Sequence, residues 1–313
     1  MAGKALLGNV TDNDLRLLRV FKAVVHCGGF SAAELELNIN RSTISRHIKD
    51  LETRLGVTLC RRGRAGFALT AEGEQVFDSA MKIMAAMEEF QHDVGELHQR
   101  LTGPMSIAIF DKTASNPACR IHQAFALFDQ AAPEVAPEIH VEPINAIERG
   151  VMEGSFQLGI IPDHRPSSSL DYYPLFNEQM YLYCAMGHPL FDTEPQNIQA
   201  SHVRRCRYVG IGYHSPNMEA THKLGLKRHA TAHDQEAVAH LVLSGRYLGY
   251  LPEHYANSFE AAGRMRRLLP EVFQYVCQFS AITRHSPPPS RVAQTLLDAL
   301  IEAHDTSIAQ SAK

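Results

Sequence analysis

The chain of 313 residues holds no run of 18 or more apolar residues, so no segment is expected to cross a bilayer as a helix and no membrane partner is expected. Its start, MAGKALLGNVTDND, lacks the long apolar core of a secretory signal and meets acid at Asp12, which points to a cytoplasmic protein. The six cysteines, at 27, 60, 119, 184, 206 and 277, include no Cys-x-x-Cys pair. That spacing speaks against a disulfide framework and against a structural zinc site, and for a reducing compartment. Also missing are the Gly-x-Ser-x-Gly elbow, the P-loop and the His-Glu-x-x-His signature, so neither an enzyme nor a cofactor is expected. No repeat of roughly 20–50 residues is seen, which excludes a solenoid.

What is present is an ordinary globular composition with an uneven charge. The net charge of −4 splits at residue 70. Residues 1–70 carry 11 Lys and Arg against 6 Asp and Glu, a net of +5, and the remainder carries −9. A basic head on an acidic body suggests that one end meets a polyanion. Seven of the eleven head cations lie between residues 41 and 64.

Patterning divides the head into short helices. Asp12 and Asp14 are expected to cap a first helix with Leu15, Leu18, Phe21, Val24 and Val25 on its apolar face, stopped by Cys27-Gly28-Gly29. Ser31 is expected to cap a second over 32–37. After the turn Asn38-Ile39-Asn40, Asn40 is the expected cap of a third. In that helix Ile44, Ile48, Leu51 and Leu55 form one stripe, while Arg41, Ser42, Thr43, Ser45, Arg46 and Lys49 lie at its entry and on the other face. Short hydroxyls and long cations on one helix suit a major groove, reaching base edges and phosphates. With no aromatic on that face, stacking on single strands is disfavoured. The segment Leu59–Thr70 places Arg61, Arg62 and Arg64 around a Gly-rich turn between strand ends, a β-wing able to follow a backbone or minor groove.

From Val76 the apolar positions run Val76, Ala80, Ile83, Met87, Phe90, Val94, Leu97 and Leu101, spaced alternately four and three apart. That is a heptad seam, and an unbroken one predicts self-association through a coiled coil. Thr70 is the expected cap, and Gly73 reads as the early weak point. Two-fold pairing would place two heads on a bipartite double-stranded DNA site.

The first hundred residues resemble the LysR-type transcriptional regulators. The resemblance rests on Phe30-Ser31-Ala32-Ala33-Glu34-Leu35, on Ser42-Thr43-Ile44-Ser45-Arg46-His47-Ile48-Lys49-Asp50-Leu51-Glu52, on Leu55-Gly56-Val57-Thr58-Leu59 and on Leu69-Thr70-Ala71-Glu72-Gly73, followed by the heptad helix. In the body, Glu178–Leu190 and Gly245–Pro252 are similar to later segments of the family. The chain departs from the family at Cys60, where Phe is usual, and at Arg41-Ser42, where a pair such as Gln-Pro is usual. The resemblance implies several domains: an all-α winged helix-turn-helix DNA-binding domain over 12–70 and a dimerising linker helix over 71–102. It further implies a two-lobed α/β effector domain like the periplasmic binding proteins over 103–305. Lobe 1 is expected over 103–165 and 268–305, and lobe 2 over 166–267. It implies a small-molecule effector between the lobes, a homodimer or a homotetramer built as a dimer of dimers, and RNA polymerase as a further partner. Ser31, Arg41, Ser42, Thr43, Ser45, Arg46, Lys49, Arg61, Arg62 and Arg64 are the DNA candidates.

Within the body, Met105–Phe110 reads as a buried strand running into Asp111-Lys112-Thr113-Ala114-Ser115-Asn116, with Asn116 expected to cap a helix starting at Pro117. A loop at a strand's carboxyl end is where open α/β sheets bind ligands. Lys112, Thr113, Ser115 and Asn116 are the effector candidates from lobe 1; His214, Ser215, Asn217 and His233 are those from lobe 2. If Lys112, His214 and His233 converge, an anionic effector is expected. Two other sensing chemistries compete: a metal held by His229, His233 and His240, and a redox response through Cys184 and Cys206. The remaining alternative is an architectural DNA-binding protein without ligand control.

Overall fold

Thr11, rather than Asp12 or Asp14, caps the first helix. The computed structural model describes residues 8–63, 66–97, 101–213 and 215–305, and two compact bodies divide it, residues 1–87 and 88–313. In the first body Thr11 is extended and α1 (Asp12–His26) follows; Asp14 completes a capping box with Thr11, so it is an interior partner of the cap and not the cap. The helix buries Leu17, Leu18, Val20, Phe21 and Val24, a face one step round from the one expected, and leaves Leu15 and Val25 half-buried. The short α2 (Ala33–Leu37) is preceded by Ala32 with no side-chain cap, so Ser31 does not cap it. Asn40 caps α3 (Arg41–Leu55) as expected, its Oδ1 accepting from Thr43 N–H at 2.9 Å. Ile44, Ile48 and Leu51 are buried against α1, each contributing about 1.5–3 kcal/mol of apolar burial; Leu55 is half-buried. Strands β1 (Cys60–Gly63) and β2 (Gly66–Leu69) pair antiparallel as the wing, and α4 (Ala71–Leu97) leads away.

Asp14 links two of these helices. It is 2% exposed, accepts from Thr11 N–H at 2.8 Å and Thr11 Oγ1 at 2.6 Å, and pairs with the Arg54 guanidinium of α3, Nη2 at 2.7 Å. Arg54, then Thr11, hold its carboxyl at about 2, against an ordinary 3.8. A carboxyl depressed on folding stabilises the fold above its unfolded value, and that contribution is lost as pH falls through the folded value. The melting-temperature gap between wild type and Asp14→Asn is therefore expected to be full above pH 3.8 and to close on acidification to about 2. A gap that does not vary with pH would remove the ion pair from the account.

The second body is a sheet with two parallel wings joined through two long strands. The first wing comes from β3 (Thr102–Ile109), α5 (Ile121–Ala131), β4 (Glu134–Val141), α6 (Ile144–Glu153) and β5 (Leu158–Pro162). The strand β6 (Leu170–Ala185) then leads into α7 (Ala200–Arg204), β7 (Tyr208–Ile211), α8 (Pro216–Lys223), β8 (Arg228–Ala232), α9 (Gln235–Leu243), β9 (Leu248–Pro252), α10 (Glu253–Ala261) and β10 (Met265–Arg267). The chain returns along β11 (Gln274–Arg284) to α11 (Arg291–His304). The sheet order is β4-β3-β5-β11-β6-β9-β7-β8, with β10 on β6. Parallel pairs β4–β3–β5 and β9–β7–β8 flank the antiparallel β11–β6 pair.

These two long strands mark the lobes. Residues 170–176 of β6 and 279–284 of β11 run beside the first wing, and 177–185 and 274–278 beside the second, with a register shift at Phe279/Ser280. The return crossing therefore sits near residue 279, not near 268. Leu268 N–H still donates to Leu182 O at 2.8 Å, on the lobe 2 side. α11 packs back on α5 in lobe 1, as expected, and Arg120 N–H donates to its His304 Nε2 at 2.8 Å. Asn116 does not cap α5, which begins at Ile121; it closes a short 3-10 turn over Thr113–Ser115, and its Oδ1 accepts from Ala118 N–H at 2.9 Å.

Candidate nucleic-acid interface and interlobe cleft

On α3, Arg41, Ser42, Arg46 and Lys49 are exposed, while Thr43 and Ser45 are half-buried. The helix entry is tied down by its neighbours. Arg41 N–H donates to Glu34 Oε1 at 2.5 Å, joining α2 to α3, and Ser42 Oγ donates to Asn40 Oδ1 at 2.6 Å. Ser31 is exposed before α2. Burial, with Arg16 and Arg46 nearby, pushes the His47 imidazole down, so Arg16 of α1 lies close to α3. Pattern reasoning misses Arg16, because its sequence position says nothing of its closeness to α3.

The wing is held to α3 by Glu52, whose Oε1 accepts from Leu59 N–H at 2.8 Å and Cys60 N–H at 3.4 Å. Arg61 is exposed on β1 opposite Ala68, and Arg62 stands opposite Phe67. Arg64 lies outside the described residues. Cys60 is buried in the head core, so its smaller side chain is accommodated there.

The heptad seam does two things. Val76, Ala80 and Ile83 line an apolar groove of about 240 Å³ with Val10, Leu18 and Leu51 of the same body. Ala80 is buried in the head core, Met87 is half-buried, and Ile83 and Phe90 remain 38% and 67% exposed. The side chains of Val94 and Leu97 lie outside the described residues.

In the second body, the loops after β3, β7 and β8 meet at strand carboxyl ends. Lobe 1 is bonded directly to lobe 2. Gln235 N–H, in the first turn of α9, donates to Asp111 Oδ2 at 3.0 Å; Lys112 pairs with Glu236; Ser115 Oγ lies 2.8 Å from His254 Nδ1. His254 Nε2 is 2.9 Å from Glu178 Oε1, and Asn116 Nδ2 donates to Asn177 O at 3.1 Å. Lys112 sits in the left-handed region, φ +61°, which directs it toward Glu236 and over the Tyr255 ring.

Two cavities flank these contacts. The outer one, about 280 Å³, is lined by Phe110, Asp111, Lys112, Glu142, His233, Asp234 and Glu236 among others. The inner one, about 20 Å³, has room for about one water and is lined by residues including Phe110, Ile144, Glu178, Tyr213, Ser215, Asn217 and Gln235.

The expected effector residues are therefore only partly gathered. Thr113 is buried, Ser115 and Asn116 serve lobe-to-lobe bonds, and His214 lies outside the described residues. Asn217 is used by the fold: its Oδ1 accepts from Tyr208 OH at 3.1 Å and Ile211 N–H at 3.3 Å, and its Nδ2 donates to Tyr275 OH at 3.2 Å. Ser215 faces the inner cavity with its hydroxyl unpartnered. Of the cations expected to receive an anion, Lys112 and His233 share the outer cavity, and His214 lies outside the described residues. Lys112 is ion-paired, and Asp111, Glu142, Asp234 and Glu236 surround it and His233 in the outer cavity. Asp111, Glu178, Tyr213, Gln235 and His254 escape a reading of the sequence, and only the position of Gln235 behind the Asp234 cap signals a helix entry.

The competing sensing chemistries find little support. Burial pushes the Cys184 thiol up to about 12 and raises Cys206 as well, against the thiolate a redox sensor needs. Among the described residues no three His, Cys, Asp or Glu side chains group as a metal site. Among them, too, no helix is long and apolar enough to cross a membrane.

Comparison with known proteins places these features. Residues 15–74 match the profile described as bacterial regulatory helix-turn-helix protein, lysR family, and residues 98–305 match the LysR substrate binding domain. The HTH-type transcriptional activator BauR of Pseudomonas aeruginosa is 42% identical over 94% of this chain and 96% of its own length. Among solved structures, the fold is similar to CbnR, a LysR family transcriptional regulator, with a TM-score of 0.61 at 17% identity over 93% of this chain and 99% of that one. It is also similar to a full-length OxyR variant from Pseudomonas aeruginosa, with a TM-score of 0.57 at 19% identity over 94% of this chain and 95% of that one.

Proposed function

The chain belongs to the LysR family of transcriptional regulators, and we propose that it binds a partly dyad operator through paired α3 helices under the control of a small effector held between the two lobes. Like its relatives, it is a regulator and not an enzyme. The observation that carries the DNA part is the exposed face of α3. Arg46, Lys49, Ser42 and the half-buried Thr43 and Ser45 would read base edges, with Ser31 and Arg41 at the adjoining backbone. Arg61, Arg62 and Arg64 of the wing would grip the backbone or minor groove. Of the seam Val76, Ala80, Ile83, Met87, Phe90, Val94 and Leu97, Ala80 is spent on the head core, and two copies would join along the rest, chiefly Ile83 onward, as a dimer, and two dimers as a tetramer. The groove beside Val76 and Ile83 would seat the partner's α4.

The effector part rests on the cleft. Polar atoms with no partner, Ser215 Oγ and Gln235 Oε1 among them, face an interlobe cavity too small for more than a water, while four lobe-to-lobe bonds close it. A ligand that entered would part the lobes, and the change of angle would alter the spacing of heads and the bend of the DNA.

The test begins by selecting bound duplexes from a random pool, which supplies the operator. Arg46→Ala is then expected to lower operator affinity by about 1–3 kcal/mol while sparing non-specific binding. Arg61→Ala is expected to weaken both and to reduce the salt slope by about one. Equal effects of the two changes on specific and non-specific DNA would overturn this division of labour.

A further inference from the structure

We infer that the effector carries an ammonium group, received in the interlobe cleft by the carboxylates of Asp111 and Glu178 together with Ser215 and Tyr213. This rests on the cleft being the effector site, and it adds the charge of the ligand.

Four buried polar atoms in or beside the cleft have no partner: Asp111 Oδ1, Ser215 Oγ, Tyr213 OH and Gln235 Oε1. Ser215 is 4% and Gln235 5% exposed, and both line the inner cavity. Buried polar groups in a folded protein are almost always satisfied, so three of them on the inner cavity (Tyr213, Ser215 and Gln235), with Asp111 on the adjoining outer one, mark a place built for something else. All four can accept a hydrogen bond, and two of them can do nothing else. A carboxylate ligand would meet acceptors with few donors; an ammonium brings three donors.

The fixed charge agrees. Asp111 lies in the turn after β3, and its other oxygen is held by Gln235 N–H at 3.0 Å. Glu178 lines the inner cavity, bonded to His254. Neither lysine nor arginine lines that cavity among the described residues. Lys112, the nearest cation of the turn, is held off by Glu236 and Tyr255. Burial raises the carboxyls of both Asp111 and Glu178, and the charge of Asp111 raises that of Glu178 further. Asp111 is countered by Lys112, itself paired with Glu236, and Glu178 by the His254 imidazole; burial still raises both carboxyls, and an entering cation relieves that cost. Beside Asn217 and Tyr275, which bond each other, the walls include Phe110, Ile144, Met180 and Ile211, whose apolar surface suits a short carbon chain.

The experiment uses three probes of one size that differ in charge: n-butylamine, n-butyrate and n-butanol. Each is titrated into the full chain by calorimetry and by thermal shift. Butylamine is expected to bind saturably and butyrate not to bind. Asp111→Asn is expected to weaken butylamine by at least about tenfold, and Ser215→Ala, which leaves the carboxylates in place, by a smaller factor. If Asp111→Asn does not fold, Ser215→Ala and Glu178→Gln carry the same test. Binding of butyrate or butanol that Ser215→Ala weakens, with butylamine silent, would overturn the ammonium and leave the cleft as the effector site. Butylamine binding that no cleft variant alters, or no binding of any probe, would overturn the inference, and the former would also remove the cleft reading.

Discussion

Replacing Ile83 and Phe90 together by aspartate is expected to yield a monomer in sedimentation and to lower operator affinity by about 10²–10⁴. The size of the effect follows from geometry. A paired molecule places its second head on the second half-site at high effective concentration, and a monomer loses that gain without losing any contact of its first head. The two residues are suited to the test because the chain alone leaves them exposed, Phe90 at 67% and Ile83 at 38%. A charge at Phe90 should not disturb the head core, which α4 joins through Ala80 and Met84, whereas Ile83 also borders the groove lined by Leu18 and Leu51. In a coiled-coil seam, by contrast, each aspartate would be desolvated against a partner's apolar side chain. Phe90→Leu, which keeps an apolar knob, is expected to remain associated. A wild-type chain that sediments as a monomer, or a double variant that still pairs, would show that α4 serves only its own head.

The seam also shows how far a pattern can be read. The spacing of four and three is visible in the sequence, but it cannot say which of its residues meet a partner and which meet the chain itself. Val76 and Ala80 obey the heptad and yet pack on the head, because α4 starts against α3 and the wing. The same limit explains the helix starts. Asn40 is legible because its cap is local, three residues from its donor. Asp14 has the look of a cap, but its second partner, Arg54, stands forty residues away and holds it at the third helical position. Asn116 has the chemistry of a cap and a proline after it, but its amide is claimed by Asn177 in the crossing strand.

The cleft is legible as a place and not as a charge. Strand ends and polar turns locate the loops that meet. The histidines and Lys112 suggest an anion because cations stand out in a sequence. Folding pairs Lys112 with Glu236 and brings Asp111 to the first turn of α9, with Glu178 on the cavity wall, so the balance of the cleft is acidic. Asp111, Glu178 and Gln235 are far apart along the chain, and no spacing rule connects them.

Gly73→Ala is the prediction in which helix propensity and packing disagree most. Propensity favours alanine inside a helix by about 1 kcal/mol, so the glycine at the start of α4 reads as a weak point. The structure reverses the sign. A Cβ at residue 73 would stand 1.9 Å from Leu59 O and 2.9 Å from its carbonyl carbon, so it meets backbone and not a side chain that can swing aside. That carbonyl is not free to move. It accepts from Thr70 N–H at 3.0 Å; the Thr70 hydroxyl donates to Thr58 O at 2.6 Å and accepts from Gly73 N–H at 2.9 Å. Leu59 N–H is in turn held by Glu52 of α3. Making room for one methyl group therefore pulls on the wing, the cap of α4 and α3 together. Overpacking against rigid surroundings costs about 1–3 kcal/mol or more, which exceeds the propensity gain. A domain of this size loses about 4–8 °C in melting temperature per kcal/mol, so a clear drop in the head's unfolding transition is expected, with wing contacts to DNA weakened below it. A variant as stable as wild type, binding DNA unchanged, would mean that α4 can withdraw from Leu59 at no cost, and that the close approach does not hold the wing to the helix.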